Sequence, residues 1–314
     1  MGEGNRVEGP RYHSVMSADG GYLAHMGPGD LVLIARLAGR PGLDARGAAA
    51  LLRADPALAE RALASPDAAD LLLRGGDPEA DRETLVRTTP FLTFAVAVER
   101  VAAELREATY VSEWVGPRQR LPLLGGDDLR ELLDDRRRRV FLAALLASYT
   151  RVASGSVWRE TPRGWRRQRF SELDPVRLAA TLEVLPESRH PAVHRRLGDL
   201  SLFLAGVFPD HTASRAFRPL DLQRLGRAAA VAGPAGEVLG EALETRGGVG
   251  LLDHLGPRWY RLAAGAAPAA AASTRLLEAV AERFVQARRA LNVLADRHLF
   301  GRAASWFPSP SGPS

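Results

Sequence analysis

The densest group of acid–base and metal-ligating side chains lies in the segment 187–211, ESRHPAVHRRLGDLSLFLAGVFPDH. After its leading glutamate, the chemistry-bearing residues of this segment are His190, His194, Asp199, Asp210 and His211. Imidazole and carboxylate groups transfer protons near neutral pH when their surroundings tune their pKa values. One hypothesis is therefore an enzyme, of unidentified reaction, built on a helix over 189–211 with four catalytic residues: Asp199, Asp210, His194 and His211.

Two histidines of the segment have the spacing of metal ligands. His190 and His194 are four residues apart and share one face of a helix, where two imidazoles can chelate a metal ion. Glu187 and His190 also form the E-x-x-H pattern of di-iron helical bundles. Such a bundle needs a second E-x-x-H pattern, and the sequence has none. No cofactor is predicted from this pattern. Binding of a metal ion by His190 and His194 remains one hypothesis, and the alternative is that they are a pair of surface histidines.

Asp199 is unusual because apolar residues nearly surround it in LGDLSLFLAG. A carboxylate in such a setting requires a partner, since an unpaired buried charge is costly. Arg195 or Arg196, three or four residues earlier, can supply a structural ion pair, as can an arginine from elsewhere. The other interpretation is a functional carboxylate in a pocket, where perturbed acids often occur.

The segment 157–170 predicts a β-hairpin rich in arginine and tryptophan. Its tetrapeptide 161–164, Thr-Pro-Arg-Gly, suits a type I turn, with proline in the second place. Period-two alternation predicts one cationic face, made of Arg159, Trp165, Arg167 and Arg169. The same alternation assigns the other face to Trp158, Glu160, Gln168 and Phe170, and we expect Trp158 and Phe170 to face the core.

This ribbon, with Arg163 in its turn, offers two kinds of recognition. Guanidinium groups can form bidentate hydrogen bonds with phosphates while an indole stacks on a base, or the same groups can bind an acidic protein surface. The alternative is that arginine stems simply cover Trp165 through cation–π contacts. The four successive arginines at 136–139 point in different directions on a helix, and we expect them to pair locally with Asp134 and Asp135.

Composition excludes several classes of chemistry. All 42 basic residues are arginine, so the chain cannot supply the lysine of a P-loop, a protein kinase or a pyridoxal enzyme. The absence of cysteine excludes disulfides, thiolate nucleophiles and cysteine-ligated metals. The net charge of +5 is modest for 314 residues, and the high isoelectric point mainly reflects the use of arginine.

Helix-start and turn signals along the chain predict a mainly α, multi-helix globular fold with one or two short β-hairpins packed on the helices. Asp-Pro and Ser-Pro pairs mark helix starts from residue 29 onward, and a Gly-Pro turn in 111–124 predicts a first hairpin. We expect four parts: a disordered lead at 1–28, a helical region at 29–155, the second hairpin with further helices at 156–302, and a disordered tail at 303–314. Met1, Met16 and Met26 are all possible starts.

The sequence favours a cytoplasmic protein without a membrane segment. Its longest apolar stretches, at 91–98 and 140–147, fall far short of the roughly 20 residues that span a bilayer. Three hypotheses result. The first is a helical interaction or regulatory protein that binds an acidic macromolecular partner through the hairpin residues Arg159, Arg163, Trp165, Arg167 and Arg169. The second is a nucleic-acid-binding protein that uses the same surface, and the third is the enzyme on helix 189–211.

Overall fold

The structure is a computed structural model that describes residues 21–74, 88–151, 154–161, 164–231, 233, 235–266, 268 and 271–299. The prediction of a mainly α fold with short hairpins is confirmed, since the described chain is helical apart from two two-stranded sheets. Residues 1–20 and 300–314 lie outside the described residues. Within the expected lead, residues 21–28 are structured, because a 3₁₀ turn at Tyr22–Ala24 precedes the first helix and Tyr22 is buried in the core.

The first half of the chain consists of short helices and one hairpin. Its elements are α1 (Pro28–Leu37), α2 (Ala45–Ala54), α3 (Pro56–Leu63), α4 (Pro66–Ala69), α5 (Pro90–Glu107), β1 (Tyr110–Gly116), β2 (Gln119–Leu124), α6 (Asp127–Asp134) and α7 (Arg136–Ser148). Two of these helices have the caps that their Asp-Pro and Ser-Pro starts predict: Asp55 and Ser65 each accept a hydrogen bond from a backbone N–H of the first turn.

The second half begins with the other hairpin and continues with longer helices. Its elements are β3 (Ser154–Thr161), β4 (Gly164–Ser171), α8 (Pro175–Ala179), α9 (His190–Val207), α10 (Pro209–Ser214), α11 (Pro219–Ala228), α12 (Ala235–Gly265), α13 (Ala272–Glu282) and α14 (Phe284–Leu294). The helix α12 is broken at Arg246 and Gly247, whose φ of 58° lies in the left-handed region that favours glycine. This break divides α12 into two helical segments.

One hydrophobic core joins both halves of the chain. The helices α9 and α12 pack along each other at its centre, and α5 packs against α7. Close approach of α9 and α12 depends on Gly198, because a Cβ atom there would lie 2.7 Å from the ring of Tyr260. None of the helices within the described ranges is both long and apolar enough to cross a membrane.

The first hairpin packs on the helices through one strand. Val111 and Trp114 of β1 are buried, and β1 lies against α14. The strand β2 pairs with β1 and carries three exposed leucines, at 121, 123 and 124. The hairpin is therefore anchored by β1, as expected for a two-stranded ribbon that cannot be stable alone.

Candidate functional site

The predicted Arg/Trp hairpin exists as the antiparallel pair β3–β4, but its register differs from the predicted alternation. Trp165 pairs with Glu160, Arg167 with Trp158, and Arg169 with Ser156. Directly opposite residues of an antiparallel pair belong to the same face. One face, which we call the tryptophan face, is therefore made of Ser156, Trp158, Glu160, Trp165, Arg167 and Arg169.

Arg159 was placed on the wrong face by the sequence prediction. It pairs with Arg166, which assigns both arginines to the face opposite Trp165. The physical reason is the two-residue turn: Thr161 pairs with Gly164, so every even-numbered position of β3 lies opposite an odd-numbered position of β4. Trp158 belongs with Trp165 for the same reason. Arg163 lies outside the described residues.

The hairpin concentrates the charge of the whole protein. Between Ser154 and Ser171 there are five arginines and one glutamate, a net charge of +4 against +5 for the entire chain. Within the described strands, β3 and β4 pair only with each other. The ribbon is therefore a cationic, two-stranded element attached to a body whose own charges nearly balance.

Asp199 is buried and held by structural partners. It is 8% exposed, and its Oδ1 atom accepts a hydrogen bond of 2.9 Å from the hydroxyl of Tyr260 on α12. Its Oδ2 atom lies 3.7 Å from Nε of Arg195, one of the two arginines that the sequence nominates. Burial, and then the neighbouring Asp199, raises the pKa of Tyr260, so the phenol stays neutral and donates.

A second arginine of α9 contacts a buried tyrosine beside this pair. The guanidinium carbon of Arg196 lies 3.9 Å from the ring centre of Tyr149, and Arg196 also hydrogen-bonds Ser148 and Glu172, at 2.8 and 3.2 Å. Burial raises the pKa of Tyr149. Its hydroxyl makes no hydrogen bond to the part of the chain that the structure describes. These contacts fix α9 against α7 by cation–π and charge-assisted interactions.

His190 and His194 face each other without a third ligand. Their ring centres are 6.3 Å apart, and Nε2 of His190 lies 3.1 Å from the carbonyl oxygen of Leu185. Burial, and then the proximity of His190, lowers the pKa of His194. No group of three or more acidic or histidine residues in the described ranges is arranged to hold a metal ion. Two imidazoles alone provide half of a tetrahedral site.

Asp210 attaches the first hairpin to the helices. Its Oδ1 atom accepts hydrogen bonds from Nε1 of Trp114 at 2.7 Å and from the backbone N–H of Arg118 at 2.9 Å. Burial raises the pKa of Asp210, but these hydrogen bonds and the nearby Arg120 outweigh it, so the pKa lies below its ordinary value of 3.8. His211, the next residue, is exposed.

The four nominated catalytic residues have separate surroundings. Asp199 contacts Tyr260 and Arg195, whereas Asp210 contacts Trp114, Arg118 and Arg120. No hydrogen bond or ion pair among the described residues joins any two of Asp199, Asp210, His194 and His211. In the described structure, these four residues therefore do not form one joint acid–base group.

Two of the arginines at 136–139 pair with residues much further away in sequence than the local partners that were predicted. Arg138 has the expected local partner, Asp135, at 3.6 Å. Arg139 instead reaches the buried Glu99 at 2.6 Å, and the hydroxyl of Tyr22 donates to the same carboxylate. Arg136 lies 3.1 Å from Glu60. These contacts bind α7 to the N-terminal helices and are structural.

Sequence reasoning missed the tyrosines and arginines that complete these networks. Tyr149 ends an apolar helix, Tyr260 follows a tryptophan near the C-terminal end of α12, and Arg288 is fully buried in α14. Each occurs in an apolar helical pattern, where a polar group needs a partner. That signal identifies the residue, but only the fold identifies the partner.

Comparison with known proteins provides no family for this chain. No protein-family model matches the sequence, no curated protein matches it, and no solved structure matches it. The assignment of a function therefore depends on the geometry and chemistry of the surfaces described above.

Proposed function

We propose that this chain is a helical interaction protein that binds an acidic protein partner through the tryptophan face of the β3–β4 ribbon. The observation that carries the proposal is the concentration of charge: the ribbon holds +4 of the net +5. Complementary charge accelerates the encounter of two proteins and helps to select the partner.

The composition of the tryptophan face supports this proposal. Its register brings together Trp158, Trp165, Arg167 and Arg169. Tryptophan and arginine are the residues most enriched where a few side chains provide most of the binding energy of a protein interface. A rigid indole offers a large apolar area at low entropic cost, and a guanidinium group binds carboxylates with two hydrogen bonds.

A protein partner is favoured over a nucleic acid because of Glu160. This carboxylate is the cross-strand partner of Trp165 and belongs to the same face as the two arginines. It would repel a phosphate backbone, whereas a protein surface carries both signs of charge and can pair with it. The modest total charge of the chain supports the same choice.

The proposal is tested by fluorescence anisotropy with two labelled probes of matched length and net charge. One probe is a peptide that alternates glutamate and leucine, and the other is a single-stranded oligothymidine. We expect the peptide to bind the full-length chain more tightly than the oligonucleotide and to lose less affinity than the oligonucleotide as salt rises. A tighter oligonucleotide complex, whose affinity falls linearly with salt on a log–log plot, would overturn the proposal in favour of nucleic-acid binding. Absence of saturable peptide binding would also overturn it.

A further inference from the structure

An open groove lies on the helical body, formed by elements other than the ribbon. Its walls are the second half of α12, the junction of α13 with α14, and the two residues that follow α11. Its volume of about 800 Å³ is in the range of small-ligand sites. The floor is apolar and includes three buried residues: Ala229, Ala281 and Phe284.

One wall of the groove is cationic. His254, Arg258 and Arg261 occupy positions i, i+4 and i+7 of α12, so they share the face that lines the groove. In the described ranges, neither arginine has an acidic partner within ion-pair distance; this sets them apart from the paired arginines of α7, α9 and α14. Unpaired guanidinium groups beside an apolar floor provide recognition for an anion with an apolar body.

The acidic residues of the groove do not neutralise this wall. Asp253 has its own partners, with Oδ1 3.0 Å from Nε of Arg288 and Oδ2 3.6 Å from Nη1 of Arg246. Glu282, the last residue of α13, is exposed and interacts with its neighbour Arg283. The two arginines of α12 therefore keep a positive charge that the groove itself does not balance.

His254 adds a polar side chain to this wall of the groove. Burial, and then the neighbouring Arg258, lowers the pKa of His254, so its imidazole is neutral at neutral pH. Its Nε2 atom is buried and has no hydrogen-bond partner among the residues that the structure describes. A neutral imidazole can donate a hydrogen bond to a carboxylate oxygen.

We infer that this groove binds a small amphipathic carboxylate, with its apolar chain on the floor and its carboxylate at Arg258 and Arg261. The apolar floor contributes by removing hydrocarbon from water, and the two guanidinium groups select the negative head. This site is independent of the proposed function, because it shares no residue with the ribbon.

Isothermal titration calorimetry with three probes tests the charge selection. The probes are decanoate, decanol and decyltrimethylammonium, used below the concentrations at which they form micelles, with the full-length protein. We expect saturable binding of decanoate at one site, weaker binding of decanol, and no saturable binding of the cation. Equal binding of the anion and the cation, or heats that never saturate, would overturn the inference.

Two variants and a matched control locate the binding. The double variant Arg258→Met/Arg261→Met should lower the affinity for decanoate by about tenfold or more, while decanol binding stays unchanged. Val285→Trp fills the groove from a residue that is already 40% exposed, so we expect a folded protein that binds neither probe. The control Arg53→Met/Arg275→Met removes the same charge from exposed positions outside the groove. An equal loss in this control would contradict the location.

Discussion

Single residues show how far local reasoning about polar groups extends. The setting of Asp199 in an apolar helix predicts a partner, and the predicted Arg195 is one of the two that the structure provides. The other, Tyr260, is 61 residues away in sequence and could not be named from helix spacing. Asp199 therefore has a structural role, since its hydrogen bond joins α9 to α12.

A double-mutant cycle measures the bond between Asp199 and Tyr260. We expect Asp199→Ala and Tyr260→Phe each to lower the free energy of unfolding by about 2 to 3 kcal/mol, because each leaves a buried polar group without its partner. The double variant should lose less than the sum, with a coupling of about 1 to 3 kcal/mol in urea denaturation. Additive losses would mean that the two groups do not interact.

The control for this cycle is Tyr149→Phe. Tyr149 is as deeply buried as Tyr260, but its hydroxyl has no hydrogen-bond partner in the described residues. Removing it should leave the free energy of unfolding unchanged or slightly raised, because a buried unpaired hydroxyl is unfavourable. A loss as large as that of Tyr260→Phe would show that burial of any phenol, rather than the bond to Asp199, governs the result.

The lowered pKa of Asp210 predicts a pH-dependent contribution to stability. A carboxyl group whose pKa is lower in the folded state stabilises the fold above its unfolded value, and this stabilisation disappears as the pH falls through the folded value. Asp210→Asn should therefore be less stable at neutral pH, by about 1 kcal/mol or less because solvent screens a side chain that is 43% exposed. The difference from the unsubstituted protein should shrink below pH 3.8. Urea denaturation at several pH values checks this, and a difference that grows on acidification would contradict it.

At the scale of elements, the sequence predicts where helices and strands start and end better than it predicts which residues share a face. Asp55 and Ser65 cap helices as expected, because a cap is a local hydrogen bond within the first turn. The hairpin at 154–171 was also predictable from its turn. Its register was not assigned correctly, because a shift of one residue moves Arg159 from one face to the other.

Packing of α9 on α12 depends on a glycine that no local signal identifies. A methyl group at Gly198 would collide with the ring of Tyr260 at 2.7 Å. Gly198→Ala should therefore lower the free energy of unfolding by about 1 to 3 kcal/mol through overpacking. Gly240→Ala, also in a helix but with no atom within 4 Å of the added Cβ, should raise it by about 0.5 to 1 kcal/mol. Thermal and urea denaturation of both variants check this contrast, and equal effects would refute it.

For the whole molecule, the periodicity of apolar residues and the helix-start and turn signals were sufficient to predict a mainly α fold with short hairpins. They could not predict which helices meet, since contacts such as Arg139 with Glu99 and Trp114 with Asp210 depend on the tertiary arrangement. The nominated catalytic residues share a segment of sequence but have separate partners in space. The cationic groove was missed for the same reason, because its walls come from three distant parts of the chain.

The tryptophan face of the β3–β4 ribbon is the proposed binding surface for an acidic protein partner. The register provides two matched pairs of arginines for testing it: Arg167 and Arg169 on the tryptophan face, and Arg159 and Arg166 on the other. Reversing either pair to glutamate changes the net charge by the same amount. Any difference between the two variants therefore reports the face and not the total charge.

The deciding measurement is the affinity of the acidic peptide for these two variants by fluorescence anisotropy. Arg167→Glu/Arg169→Glu should lower the affinity by about tenfold or more, whereas Arg159→Glu/Arg166→Glu should retain most of it. Equal losses in the two variants, or a larger loss from reversing Arg159 and Arg166, would contradict binding through the tryptophan face.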